Sequence, residues 1–396
     1  MVEWHRRRTD IIWERARVRA HSKLKELGAL ESEAFLAIDL DNETHPIFRR
    51  SNWKGIDDAT YKRWRSTLQL ASLFLTERNI MDWWVRAILG NEVDMAPEGH
   101  ETPLQQTEKT RNLRRKGYRK PNTFLRNIDN ITELHYQKTE EFLYQLADVV
   151  VFTRGDCLSR ATWPPDVYAA TVPLTYRYKG NFAIDLSTKR VPFTYRNLVF
   201  PTLKYWPALT GKSEIWLHRT FWKYHEASSN ASTSLSEAQQ LRIRFRIAIT
   251  LVHEIAHATM IHRFAYGEER LQTEKDPERE AGRSWEMTVI GGLLDAQSFE
   301  KGIGLGNVHQ FTSAGIAFID WNAESHFVFN GEHSQVVIVD MKYIHSWFRK
   351  STWAAVRRKG IQGLPQLPLP CPGVILVNKT ERLLRVPNTS YWQLQE

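Results

Sequence analysis

The stretch SLSEAQQLRIRFRIAITLVHEIAHATMIHRF, running from Ser234 to Phe264, leaves the chain less freedom than any other. From Leu241 onward, Phe245, Ala248, Leu251, Val252, Ile255, Ala256 and Met260 recur at steps of three and four, the period of an α-helix. Ser234 and Glu237 ahead of them form an S-x-x-E capping box, which satisfies free N–H groups at a helix start. The spacing predicts one long helix ending near Phe264, with apolar residues on enough sides that the rest of the fold must be built around it.

Near the end of that helix stand His253, Glu254 and His257, an HExxH pentapeptide. Residues four apart on a helix project from the same face, so the two imidazoles can grip one zinc ion. Glu254 falls beside them, where a carboxylate can act as general base on a water at the metal. A zinc site of this kind needs a third protein ligand. After a loop containing GEERLQTEK, Asp276 and Pro277 read as an N-cap and first helical position, predicting a second helix over 277–295. Antiparallel to the first, it would bring its early turns opposite the histidines. Glu280 is the preferred third ligand, with Gly282 permitting close approach and Ser284 on the same face as a hydrogen-bond donor. Glu286 and Glu278 stand behind it, and His309, His326, His333 and His345 are more distant alternatives. Tyr266, His326 and Tyr343 are candidate donors to an oxyanion.

HEIAH followed by a glutamate on a downstream helix resembles the zincin metallopeptidases, in the branch whose third ligand is Glu. The segment Gly282-Arg283-Ser284-Trp285 is similar to one in SprT-like proteins, and EAGRSWE at 280–286 resembles fungal proteins with a HELAH helix and a later ELGxSWE segment. The likeness covers about Ser213 to Leu294. Arg263 occupies the position of the last metzincin histidine, and Ala281 stands where SprT-like proteins usually carry a histidine. The resemblance implies a zinc-dependent peptidase whose metal is held by His253, His257 and Glu280, with Glu254 as base. It implies an α+β fold: a zincin-like domain with the HExxH helix, a facing helix and a small sheet with an edge strand. Ser213–Phe221, whose EIWLHRTF alternates apolar and polar residues, is the expected edge, since an extended peptide can add to such a strand. A SprT-like protease acting on DNA-associated proteins and a non-catalytic zincin-fold binding module are the competing readings.

The rest of the chain sets limits. With 42% hydrophobic residues and fifteen Trp in 396, a sizeable core is expected. Cys157 and Cys371 lack C-x-x-C spacing, which argues against a disulfide scaffold or a cysteine zinc site. The charged N-terminus has no apolar signal region, and no run approaches the roughly eighteen apolar residues of a membrane span. An intracellular protein, in cytoplasm or nucleus, is expected, with a peptide or protein substrate and no membrane partner.

Residues 1–92 read as mainly helical, with TYKRWRSTLQLASLFLTERNIMDWWVRAILG ending at Gly90. Residues 93–121 read as a basic linker or long loop, and 122–396 as the metallopeptidase domain with a C-terminal extension. Lys109, Arg111, Arg114, Arg115, Lys116, Arg119 and Lys120 surround Tyr118, a run able to contact nucleic acid; a net charge of +9 points the same way. Helical spacing returns from Asn122, and short strands are expected between Ala161 and Lys223.

Overall fold

The computed structural model describes residues 37–94, 123–126, 128–154, 169–173, 212–217, 221, 237–264, 280–294, 316–319, 333–339, 341–365, 374–378 and 383–385. The basic run at 109–120, the helix-start residues Ser234 and Asp276–Pro277, and Tyr266, Glu278, His309 and His326 lie outside them. His333 enters only through its backbone.

Eight helices are described: α1 (Asp58–Arg63), α2 (Arg65–Thr76), α3 (Asp82–Leu89), α4 (Glu133–Leu146), α5 (Glu237–Phe264), α6 (Ala281–Val289), α7 (Met341–Ser346) and α8 (Lys350–Lys359). The eleven described strands are β1 (Trp53–Lys54), β2 (Glu92–Asp94), β3 (Thr123–Leu125), β4 (Val150–Arg154), β5 (Ala169–Pro173), β6 (Ser213–Leu217), β7 (Leu293–Leu294), β8 (Ile316–Ile319), β9 (His333–Val339), β10 (Val374–Asn378) and β11 (Leu383–Arg385). The fold is mixed helix and strand, as expected.

Helix α5 is the axis of the molecule. Its 28 residues contain no Gly or Pro, yet many are β-branched (Ile243, Ile247, Ile249, Thr250, Val252, Ile255), which lowers intrinsic helix preference. Packing must therefore hold it, and it does. From Ile247 to Ile261 every residue is buried except His253 and His257, which are half-exposed. Helices α2, α3, α6 and α7 pack around it, and β5 lies against it. Beyond α6, Phe74, Trp285, Trp347 and Trp353 form an aromatic cluster, with Phe74 centred 5.3 Å from both Trp285 and Trp347.

The sheet beside α5 has the order β1-β4-β6-β5, with β1, β4 and β6 parallel and β5 antiparallel to β6. Strand β1 and helices α1–α3, all from the first ninety-odd residues, thus share one core with α5. A second, five-stranded antiparallel sheet, β11-β10-β9-β8-β7, begins just after α6, and β2 pairs with β3.

Three expectations are corrected. The strand from Ser213 is not an edge: β6 is flanked by β4 on one side and β5 on the other. Its alternating pattern misled because the polar member, Glu214, is buried and satisfied internally. Thr153 Oγ1 (2.6 Å), Trp216 Nε1 (2.7 Å) and Lys54 Nζ (3.1 Å) all donate to it. Second, Thr123–Leu125, expected to be helical, pairs with β2; the helix starts only at Glu133, where Thr132 and His135 form a capping box. Third, the run ending at Gly90 is broken into α1, α2 and α3. The break at Glu77 follows two side chains that bond back to their own helix, Ser72 to Leu68 O and Thr76 to Ser72 O, an arrangement that competes with continued helix.

Two buried histidines outside the metal region set an acid limit. His45 Nδ1 accepts the Ile47 N–H, and His262 Nε2 lies 2.9 Å from Ser213 Oγ. Burial lowers both pKa values to about 4. A folded value below the unfolded one (about 6.5) means that the unfolded chain binds the proton first. The stability contribution is complete above the unfolded value and is lost as pH falls toward 4, by up to about 3 kcal/mol per histidine. Melting curves of chelator-treated protein should therefore decline steeply from pH 6.5 to 4. Replacing both residues (His45→Asn, His262→Gln) should flatten that slope; an unchanged slope would refute this account.

A candidate metal centre

Because α5 is covered everywhere else over its central turns, His253 and His257 mark the one place where it opens. Their ring centroids are 4.9 Å apart, as an i, i+4 pair on one helix face requires. Across from them, α6 begins with Glu280 as its N-cap, in extended conformation (φ −140°, ψ 100°). Glu280 Oε1 lies 3.0 Å from His253 Nε2 and 2.7 Å from His257 Nε2. Its other oxygen, Oε2, accepts the Arg283 N–H and closes the helix start. One carboxylate therefore caps α6 and reaches both imidazoles.

This corrects the expected position of Glu280, which is the cap rather than a residue inside the first turn. The downstream end is also shorter than 277–295. Helix α6 stops at Val289, and Gly291, at φ +85°, turns the chain into β7. Glycine is required at position 282 for a different reason. A Cβ there would stand 2.3 Å from His253 Cγ, inside the imidazole itself.

Glu286, two turns into α6 and buried, places Oε1 2.7 Å from His253 Nδ1. The sequence offered it as an alternative ligand, but it stands behind the imidazole instead. By accepting the Nδ1 proton it leaves Nε2 as the nitrogen facing Glu280, the arrangement that fixes ring and tautomer in metal sites. Ser284 Oγ accepts from Trp83 Nε1 at 3.2 Å, which ties α6 to α3 rather than serving the histidines.

The charges are mutually stabilising. Burial is the largest influence on His253 and opposes its protonation, yet Glu280 and Glu286 outweigh it and raise the pKa to about 10. Burial likewise acts to raise Glu280, but the two imidazoles hold it well below the ordinary carboxylate range. Without a metal, the cluster is thus held together by protons on the imidazoles.

Glu254 is buried on the same helix and is bound from the sheet. Thr171 Oγ1, on β5, lies 2.7 Å from Glu254 Oε2 and 3.0 Å from the Glu254 carbonyl oxygen. Burial pushes the Glu254 carboxyl upward, partly offset by His257, His253 and the Thr171 hydroxyl. The sequence gave no sign of Thr171, because a single threonine in a five-residue strand has no distinguishing pattern.

Other expected residues are engaged elsewhere. Tyr343 is buried and donates to Ile290 O at 3.0 Å, so its hydroxyl is used in joining α7 to the end of α6. Burial pushes its pKa up. His345 lies in α7's last turn, away from the pair. Arg263 closes the C-terminal end of α3 by donating to the carbonyls of Arg86, Ala87 and Gly90.

His253, Glu254 and His257 offer ligand atoms all within 4.8 Å of one another, a group able to hold a metal ion. Of the two carboxylates nearby, Glu280 is the better placed third donor, since Glu254 has an oxygen committed to Thr171. Two imidazole nitrogens and one carboxylate oxygen suit zinc, whose tetrahedral ligands sit about 3.3 Å apart. Opening the observed 2.7 and 3.0 Å contacts by a few tenths of an ångström would suffice. No protein-family model matches the chain, and no curated protein or solved structure matches it either.

Proposed function

We propose that the chain is a zinc-dependent peptidase of zincin type, its metal held by His253, His257 and Glu280. The observation that carries this reading is the meeting of three elements at the one opening of α5. These are a His-His-Glu donor set, a second buried carboxylate beside it, and a strand, β5, that binds that carboxylate and forms the edge of its sheet. A structural metal site needs only the first of these.

Bound zinc would supply Lewis acidity toward water and toward a peptide carbonyl. Everything else falls to the protein. Glu254 takes a proton from the attacking water as the new C–O bond forms, then delivers it to the amine nitrogen as the C–N bond breaks. Glu286 holds His253 in one tautomer throughout. Strand β5 pairs with β6 on one side only, so its free backbone groups can receive an extended peptide as an added strand.

Metal analysis of the purified protein, together with cleavage of an unstructured protein such as casein, tests the reading. About one zinc per chain is expected, with cleavage that stops on chelation and returns on adding zinc. Cleavage unaffected by a chelator would rule the metal mechanism out. Zinc bound with no hydrolysis of casein or of a peptide pool would instead leave a non-catalytic metal module.

A further inference from the structure

Strand β5 does more at this site than present an edge. Thr171 is its central residue and lies in register with Ile215 of β6, on the face turned toward α5. Its hydroxyl has one proton and two acceptors within reach, Oε2 of Glu254 at 2.7 Å and the Glu254 carbonyl oxygen at 3.0 Å. The carboxylate is the stronger and closer acceptor. Among the described residues no other side chain or backbone group donates to that carboxylate. Glu254 is nearly inaccessible to solvent, with 4% of its surface exposed, so water does little to hold the side chain in place. A glutamate has three rotatable side-chain bonds, and this hydroxyl is what selects one setting of them.

We propose that Thr171 is a positioning residue: its hydroxyl holds Oε2 of Glu254, so that Oε1 is the oxygen left to take the proton of the attacking water. The inference depends on the peptidase reading for its kinetic consequence but not for its binding consequence. Strand β5 would then present the peptide and orient the base at once, so a chain docked on β5 has its register fixed relative to Glu254. A backbone carbonyl could not do this, because it cannot donate, and an apolar side chain at position 171 would leave Oε2 buried without a donor.

Three variants separate this from a packing role. Thr171→Val keeps the shape and removes the hydroxyl, Thr171→Ser keeps the hydroxyl and removes the methyl, and Thr171→Ala removes both. For each, the zinc content, the visible spectrum of the cobalt-substituted protein and the melting temperature show whether fold and metal site persist. On a fluorogenic peptide, Thr171→Val should lower kcat by about tenfold or more with KM unchanged, and Thr171→Ser should restore it. Acetohydroxamate, a metal-directed probe whose acidic hydroxyl needs an acceptor beside the metal, should bind about tenfold more weakly to zinc-loaded Thr171→Val and normally to Thr171→Ser.

Unchanged kcat and hydroxamate affinity in Thr171→Val would overturn the proposal. So would a defect that tracks the lost methyl, present in Thr171→Ser and Thr171→Ala alike. Should Thr171→Val not fold, the contrast between Ser and Ala decides the matter. If the zinc-loaded wild type cleaves nothing, the hydroxamate measurements still decide the role of Thr171 while the peptidase reading falls.

Discussion

Zinc retention is expected to be lost when His253 and His257 are both replaced by alanine, and the variant should also melt at a lower temperature. Of the three convergent donors only Glu280 would remain, and a single carboxylate does not hold zinc against dilution. Apparent binding energies of complete protein zinc sites are about 10–16 kcal/mol. Removing two of three ligands should therefore weaken binding by well over about a thousandfold. The stability loss has a separate origin. The two imidazoles hold Glu280 well below the ordinary carboxylate range, and His253 is also the partner of buried Glu286. Deleting both rings leaves two carboxylates without their cations, at a cost of about 1–3 kcal/mol for each group left unpaired. Glu280 should still cap α6 through Arg283, so the helix start survives. Metal analysis after dialysis and thermal denaturation with and without zinc read the two effects. A double variant that still carries one zinc per chain would show that the metal, if any, is held elsewhere.

Replacing Glu254 by glutamine should separate metal binding from chemistry. The amide has the same shape, and its carbonyl oxygen can still accept from Thr171, so the side chain should keep its place. Its NH2 group then stands where Oε1 stood, and it cannot accept a proton. Zinc content should be unchanged, and hydrolysis should fall by about a hundredfold to ten-thousandfold, the range for loss of a general base. The loss should appear in kcat with little effect on KM, since Glu254 acts on water rather than on docked peptide. A Glu254→Gln protein that binds zinc and keeps full activity would remove Glu254 from the mechanism.

The parts of this site that the sequence revealed are those written in local spacing. An i, i+4 histidine pair in an apolar helix needs no knowledge of the rest of the fold, so His253, Glu254 and His257 were found where they stand. Glu280 could be reached because Gly282 and the length of the intervening loop both point to a close helix pair, but its role as an N-cap could not. Asp276 and Pro277 offered an equally good helix start, and only the demand of two imidazoles for one carboxylate favours Glu280.

What failed was non-local. Whether a strand lies at an edge depends on its neighbours, and β6 looked half-exposed only because Lys54, Thr153 and Trp216, from three strands, satisfy Glu214. The true edge, AATVP, is short and lacks clear alternation. Thr171 and the placing of Glu286 behind His253 were hidden for the same reason. Each is defined by a partner far away in the chain.

The double duty of Glu280 bears on when the protein acquires its metal. The carboxylate reaches the histidines only from the first residue of α6, and α6 is held by Trp83 of α3 and by the aromatic cluster around Trp285. A nascent or unfolded chain offers the two histidines but no matching third donor, so it should compete poorly for zinc. Loading then follows folding. Once bound, an ion present at about a thousand times its dissociation constant adds about 4 kcal/mol to the folded state. The metal would act as a latch that closes only on a correctly assembled core, and a chain that fails to bring α3, α5 and α6 together would stay both empty and less stable.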